Sequence, residues 1–136
     1  MQKLKSAGAV IFTEDSERKY LLLHYVEGHW DFVKGKIEDR ESEMDALERE
    51  AQEETGIVDL QIIPEFRETI NYNFSSEGKV FHKDVVFFLA KTNQIIVRLS
   101  EEHVEYKWLS CKDALRQLTF KSAKDVLEKA DKFLGC

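Results

Sequence analysis

A chain of 136 residues, 43% apolar and 34% charged, has the size and make-up of one soluble globular domain with a proper core, spanning residues 1–136. A net charge of −6 excludes a general nucleic-acid binder, yet leaves room for a nucleotide whose charge a metal masks. The longest apolar run, Val85 to Ala90, is too short to span a bilayer, and the N-terminus has no signal-peptide core.

The first strand is expected over Lys3 to Thr13, with small residues at Ala7-Gly8-Ala9 for close packing against a helix. Glu14 to Glu17 form a turn, and Arg18 to Val26 a second strand. Its continuous Tyr20-Leu21-Leu22-Leu23 run predicts burial on both faces. A loop at Glu27-Gly28-His29 and the segment Trp30 to Val33 lead into Lys34-Gly35-Lys36. A helix then runs from Ser42 to Gly56. Ser42 is a suitable N-cap with Asp45 as capping-box partner, and Gly56 suits the left-handed C′ position. Met44, Leu47 and Ala51 give it a core-facing stripe.

Val58 to Ile63 alternates like a strand and ends at Pro64. Glu65 to Phe74 and Lys79 to Thr92 are expected to pair as a hairpin about Ser75-Ser76-Glu77-Gly78. Ile95 to Leu99 and Tyr106 to Leu109 read as short strands. Cys111 to Leu118 and Ser122 to Leu134 read as helices, the latter with a Val126, Leu127, Ala130, Phe133 and Leu134 stripe. The pattern is α/β, with a mixed sheet between helices. Cys111 and Cys136 have no metal-clip spacing and are expected as reduced thiols of a cytoplasmic protein.

Glu50, Glu53 and Glu54 stand at i, i+3 and i+4, so they share one helix face. Like charges at that spacing repel, and acids in a last turn oppose the helix dipole. The arrangement becomes favourable around a divalent cation, and oxygen-only ligands point to magnesium or manganese rather than zinc.

These residues resemble the Nudix hydrolase signature. Gly35, Glu41, Arg49, Glu50, Ala51, Glu53, Glu54, Gly56 and Ile57 stand at every required spacing. The resemblance implies an α/β/α sandwich and metal-assisted attack of water on a phosphorus atom. It implies Glu50, Glu53 and Glu54 as metal ligands, with the Gly35 carbonyl as a further one. Either Glu50 or Glu54 would be the general base. Arg49 would orient a glutamate, and Glu41 would tether the loop or reach a metal through water. A structural ion pair is the alternative for Arg49 and Glu41.

Outside the signature, Phe66 to Tyr72, Lys79 to Ala90, Leu99 to His103, Tyr106 to Leu109 and Leu118 to Lys121 are similar to the asymmetrical diadenosine tetraphosphate hydrolases of that family. This likeness implies Tyr72 and Phe120 as an adenine-holding pair and His29, Lys34, Lys79 and Lys83 as residues handling polyphosphate. It also implies Glu102 as a carboxylate approaching the metals from an opposite loop. Core burial is the plainer reading for the two aromatics, and an ordinary strand face for the two strand lysines. Trp30 and Trp108 are read as structural, and His82 and His103 are assigned nothing for want of ligand spacing.

Two residues depart from the family pattern: Val33 stands where proline is common, and Arg40 where glycine is common. The expected enzyme is a magnesium-dependent monomer, apart from membranes, that cuts a dinucleoside polyphosphate such as diadenosine tetraphosphate asymmetrically. RNA 5′-pyrophosphate removal, clearance of an oxidised nucleotide and a non-catalytic nucleotide sensor are the alternatives. A dense basic run for RNA is missing, and a sensor would be expected to lose some of the three glutamates.

Overall fold

Strand β1 (Gln2–Glu14) is the spine of the sheet. On one edge it pairs in parallel with β7 (Lys79–Lys91), from Gln2 opposite Phe81 to Phe12 opposite Lys91. Its other edge is shared. β4 (Val33–Lys36) pairs with Ser6 to Ala9, and β2 (Arg18–Tyr25) pairs with Phe12 to Glu14, both antiparallel. β2 also carries β3 (Trp30–Asp31) and β8 (His103–Leu109). β7 carries β6 (Glu68–Ser76) and β5 (Gln61–Ile62), which completes an eight-stranded mixed sheet. This computed structural model describes residues 1–135, so the expectation for Cys136 lies outside it, while Cys111 is a free, half-buried thiol.

Residues of the central strands are buried on both faces, which is why β2 reads as an unbroken apolar run. Val10, Phe12, Tyr20 and Leu22 face α2 (Cys111–Gln117) and α3 (Lys121–Leu134), meeting Ala114, Val126, Leu127 and Ala130. Ala7, Ala9, Ile11, Leu21 and Leu23 face α1 (Glu43–Thr55), meeting Ala46 and Leu47. Helices thus cover both faces, and the expected α/β/α sandwich is the observed architecture. Ala7 and Ala9 allow α1 to approach, as expected. Gly8 turns the other way, where a Cβ would fall 2.5 Å from the Val33 carbonyl oxygen.

Local chemistry fixes the bounds of α1. The Ser42 hydroxyl accepts the Asp45 N–H at 3.0 Å, and the Asp45 carboxylate accepts the Ser42 N–H at 3.2 Å. Gly56 closes the helix at φ 74°, its N–H donating to the Gln52 carbonyl at 2.9 Å.

Several expectations need correction. Only Gln61 and Ile62 of the Val58 to Ile63 stretch pair as a strand. Upstream, the Val58 N–H donates to the Gln94 side chain, and the Asp59 carboxylate accepts the Asn93 N–H, so side chains replace a ladder. Ile95 to Leu99 is not a strand, because the chain here serves the end of α1: the Arg98 N–H donates to Thr55 O at 2.9 Å and the Ser100 N–H to Glu54 O at 3.3 Å. Strand β6 starts at Glu68, and its turn is only Glu77-Gly78, both at positive φ (51° and 76°), as a tight hairpin demands. Phe133 belongs to the α3 stripe yet is 47% exposed, its ring meeting Phe66 edge-on at 5.6 Å. Among the described residues no helix is long and apolar enough to cross a membrane.

Candidate active site

The acidic face of α1 is graded by depth. Glu54 is 3% exposed, whereas the Glu50 and Glu53 side chains are 15% and 59% exposed. Arg49 organises its neighbours. It donates from Nε and Nη2 to the two oxygens of Glu41 at 2.6 and 3.0 Å, from Nη1 to Glu50 at 2.7 Å and from Nη2 to the Lys36 carbonyl at 2.9 Å. Glu53 also approaches Nη1, at 3.4 Å. Glu41 further accepts the Glu38 N–H at 2.8 Å, so both its oxygens are committed, and it tethers the loop before α1. The hydrogen bond from Arg49 and then the Glu38 backbone hold its carboxyl down at about 2. In that loop Arg40 adopts φ 69°, the left-handed conformation that explains why glycine is common there.

Gly35, on β4, lets Glu50 lie against the backbone: a Cβ here would sit 2.0 Å from the Glu50 carboxyl carbon. Burial pushes Glu50 up to about 7, with Glu54 nearby adding to the rise and Arg49 opposing it. Burial also lifts Glu54 to about 7, reinforced by the charges of Glu102 and Glu53 and opposed by Glu50 and Lys34. Both Glu54 oxygens are buried without a hydrogen-bond partner among the described residues. Buried carboxylate oxygens without an aligned donor, beside a glycine that leaves room, form an all-oxygen donor set that fits a hard divalent cation. Among the described residues no three acidic, histidine or cysteine side chains already converge as a closed metal cage. Glu50, Glu53, Glu54 and Arg49 line a hollow of about 450 Å³, which Ser100, Glu101 and Glu102 close from the loop before β8.

A second cavity, of about 360 Å³, lies on the other side of β4, lined by His29, Asp31, Lys34, Ile70, Tyr72, Phe120 and Ser122. Successive strand residues face opposite ways, so Lys34 lines this cavity while Gly35 meets Glu50. Lys34 Nζ is 3.0 Å from the buried Asp31 carboxylate and 5.8 Å from the Tyr72 ring centre. Burial alone would lower this ammonium, but Asp31 and Tyr72 outweigh it and hold it above its ordinary value. Lys83 stands opposite Tyr72 in the hairpin register, and burial, helped by Lys34, pushes it down. The Trp30 N–H donates to the Thr119 hydroxyl at 2.8 Å and the Thr119 N–H to the Trp30 carbonyl at 3.3 Å, which ties the loop before α3 to β3. Phe120 is thereby set 5.5 Å from the His29 ring.

The structure thus gathers Tyr72, Phe120, Lys34 and His29 around one cavity, and Glu50, Glu53, Glu54 and Glu102 around the other. Tyr72 and Phe120 are 38% and 47% exposed, so neither is a core aromatic. Lys79 and Lys83 line neither cavity: Lys79 sits beside the hairpin turn, opposite Ser76, and Lys83 is half-buried opposite Tyr72. Trp30 is buried in the core, and Trp108 packs against it from the α1 side while donating to the Ile95 carbonyl at 2.9 Å. Sequence reasoning missed two residues. Asp31, the partner of Lys34, gave no signal. His103 lacks metal-ligand spacing in the sequence, yet its ring lies against Glu54.

Fold and site define a pyrophosphohydrolase. The chain belongs to the Nudix family, for a NUDIX domain model matches residues 3–130. It is 35% identical over 144 residues to the asymmetrical bis(5′-nucleosyl)-tetraphosphatase of Sus scrofa, covering 96% of this chain and 95% of that one. Against the Mus musculus protein of the same name it is 33% identical over the same shares. A crystal structure of a Caenorhabditis elegans Ap4A hydrolase binary complex matches with a TM-score of 0.86 and 34% identity, over 96% of this chain and 97% of that one. Nudix hydrolases generally need divalent metal ions, in keeping with the donor set described above.

Proposed function

We propose that the protein hydrolyses diadenosine tetraphosphate asymmetrically into ATP and AMP, with magnesium as the metal and manganese as a substitute. One observation carries the reading beyond the family: an aromatic cavity and an acid-lined hollow are separated by a single strand, with Lys34 on one side and Gly35 on the other. Relatives named as asymmetrical tetraphosphatases support the same substrate.

An adenine would enter the cavity that Tyr72 and Phe120 line, where stacking is worth about 1–3 kcal/mol per base. His29, Lys34 and Lys83 would then meet the polyphosphate, with Lys79 near only its outer end. Glu50, Glu53, Glu54, Glu102 and the Gly35 carbonyl would hold the metal. When bound there, magnesium would supply neutralisation of charge on the phosphate oxygens. Glu50 or Glu54 would take the proton of the attacking water, as a carboxylate positioned beside the metal can. Arg49 would keep Glu50 and Glu53 in register, anchored by Glu41.

Product analysis tests this directly. Incubation with diadenosine tetraphosphate and magnesium in labelled water should give ATP and AMP in equal amounts, with label in one of them only. Two molecules of ADP, or turnover undiminished by a chelator, would overturn the assignment. Glu54→Gln should abolish hydrolysis while nucleotide binding survives. A wild-type protein that binds the dinucleotide with magnesium and never turns it over would be a sensor instead.

A further inference from the structure

The ring of His103 is wholly buried, with Nε2 at 3.0 Å from Glu54 Oε1. Its other nitrogen, Nδ1, lies 3.0 Å from the Ser100 hydroxyl. That hydroxyl oxygen accepts the Glu102 N–H at 3.3 Å. The ring plane is set by Tyr25, which meets it edge-on at 4.4 Å and is itself fixed through its hydroxyl to the Phe32 carbonyl. The Ser100 N–H donates to the Glu54 carbonyl, so the same loop grips both the backbone and the side chain of Glu54.

These contacts select a tautomer. With its oxygen accepting from Glu102, Ser100 is free to donate its hydroxyl proton to Nδ1. The neutral ring then carries its proton on Nε2, facing the carboxylate. The opposite tautomer would place a nitrogen lone pair against a carboxylate at 3.0 Å, which is repulsive. Nε2 and both Glu54 oxygens are buried without an aligned hydrogen bond among the described residues. At 3.0 Å the two atoms are within hydrogen-bonding distance, and hydrogen bonds that are poorly aligned in an unliganded site often tighten when the ligand binds.

We propose that His103 is a positioning residue for Glu54: through its Nε2–H it holds the carboxylate turned toward the divalent cation. The inference rests on the reading of Glu54 as a metal ligand. Hydrogen-bonding partners of ligating carboxylates typically govern metal affinity by 10- to 100-fold when removed. Ser100 extends the chain of contacts to Glu102, so the acids on the helix and on the opposite loop are linked through one buried imidazole.

The test uses manganese as probe, with binding followed by the magnetic resonance signal of the free ion, on wild type, His103→Phe, His103→Gln and Glu54→Gln. His103→Phe should bind manganese at least about tenfold more weakly. His103→Gln, whose amide can donate from a similar place, should retain most of the affinity. Nitrogen-15 spectra of the metal-free protein should show His103 protonated on Nε2, with that proton's resonance moved by Glu54→Gln. A ring protonated on Nδ1, or manganese affinity unchanged in His103→Phe, overturns the proposal. If Glu54→Gln binds manganese like wild type, the metal reading itself has failed and the role of His103 falls with it. Should His103→Phe not fold, Ser100→Ala reads the same chain of contacts. It should lower manganese affinity, and an unchanged value counts against the proposal.

Discussion

Gly35 and Glu50 meet so closely that any side chain at position 35 would displace the Glu50 carboxylate: a Cβ would lie 2.3 Å from each Glu50 oxygen. The obstructed group is the end of a flexible side chain, not backbone. Gly35→Ala should therefore leave the fold standing and drive Glu50 out of place. Hydrolysis should fall by about a hundredfold or more if Glu50 has the role proposed for it. Thermal unfolding should shift little. An active Gly35→Ala enzyme would show that Glu50 need not occupy this position.

Arg49 and Glu41 form a two-pronged pair, and Arg49 reaches Glu50 with a third donor. Lysine has a single ammonium and cannot reproduce that fork. Arg49→Lys should lower kcat by about 10- to 100-fold, a usual cost of loosening a residue that orients metal ligands. KM for the dinucleotide should change little, since Arg49 lies outside the aromatic cavity. Equal kcat in the lysine variant would reduce Arg49 to a plain charge.

Tyr72 and Phe120 are half exposed and line the cavity proposed for adenine. Replacing either by alanine should weaken substrate binding by about 1–3 kcal/mol, a factor of roughly 5 to 150 in Kd. Stability should change by no more than about 0.5 kcal/mol, as for other surface positions. Phe87→Ala, at a fully buried ring, should instead cost about 3–5 kcal/mol of stability. A matching loss of stability at Tyr72 or Phe120 would return them to the core.

The hairpin lysines should separate cleanly. Lys83 is half-buried beside Tyr72 and Lys34, whereas Lys79 is exposed at the turn. Lys83→Ala should raise KM several-fold by removing an ammonium from the path proposed for the polyphosphate. Lys79→Ala should stay near the wild-type value. The reverse order would mean that the phosphates run toward the hairpin tip.

What could be read from the chain was local. The bounds of α1 follow from Ser42, Asp45 and Gly56, each acting within four residues. The burial of β2 follows from an apolar run. Ile95 to Leu99 reads as a strand because alternation reports which side chains are buried, and Val97 is inside while Ile96 is not. It does not report where the N–H groups go, and here they go to the end of α1. His103 and Asp31 were illegible for the same reason. Their value lies in contacts with Glu54 and Lys34 that only the assembled loops create.

Glu50 and Glu54 give the chelated protein a pH dependence whose sign is fixed. Burial raises both carboxyls from 4.5 to about 7, so the folded chain binds protons more tightly than the unfolded one. Their contribution is fully present below 4.5 and is lost as pH rises through 7. His29 and His103 pull the other way. Burial lowers both below 6.5, so their contribution is present above that pH and lost as pH falls. Comparison with a Glu50→Gln, Glu54→Gln double variant separates the two. In chelator, wild type should lose Tm relative to the variant between pH 5 and 7.5. Magnesium must displace protons to bind, so it should raise the wild-type Tm more at pH 7.5 than at pH 5 and leave the variant nearly unmoved. Equal stabilisation by magnesium at both pH values, or in both proteins, would place the cation away from these carboxylates.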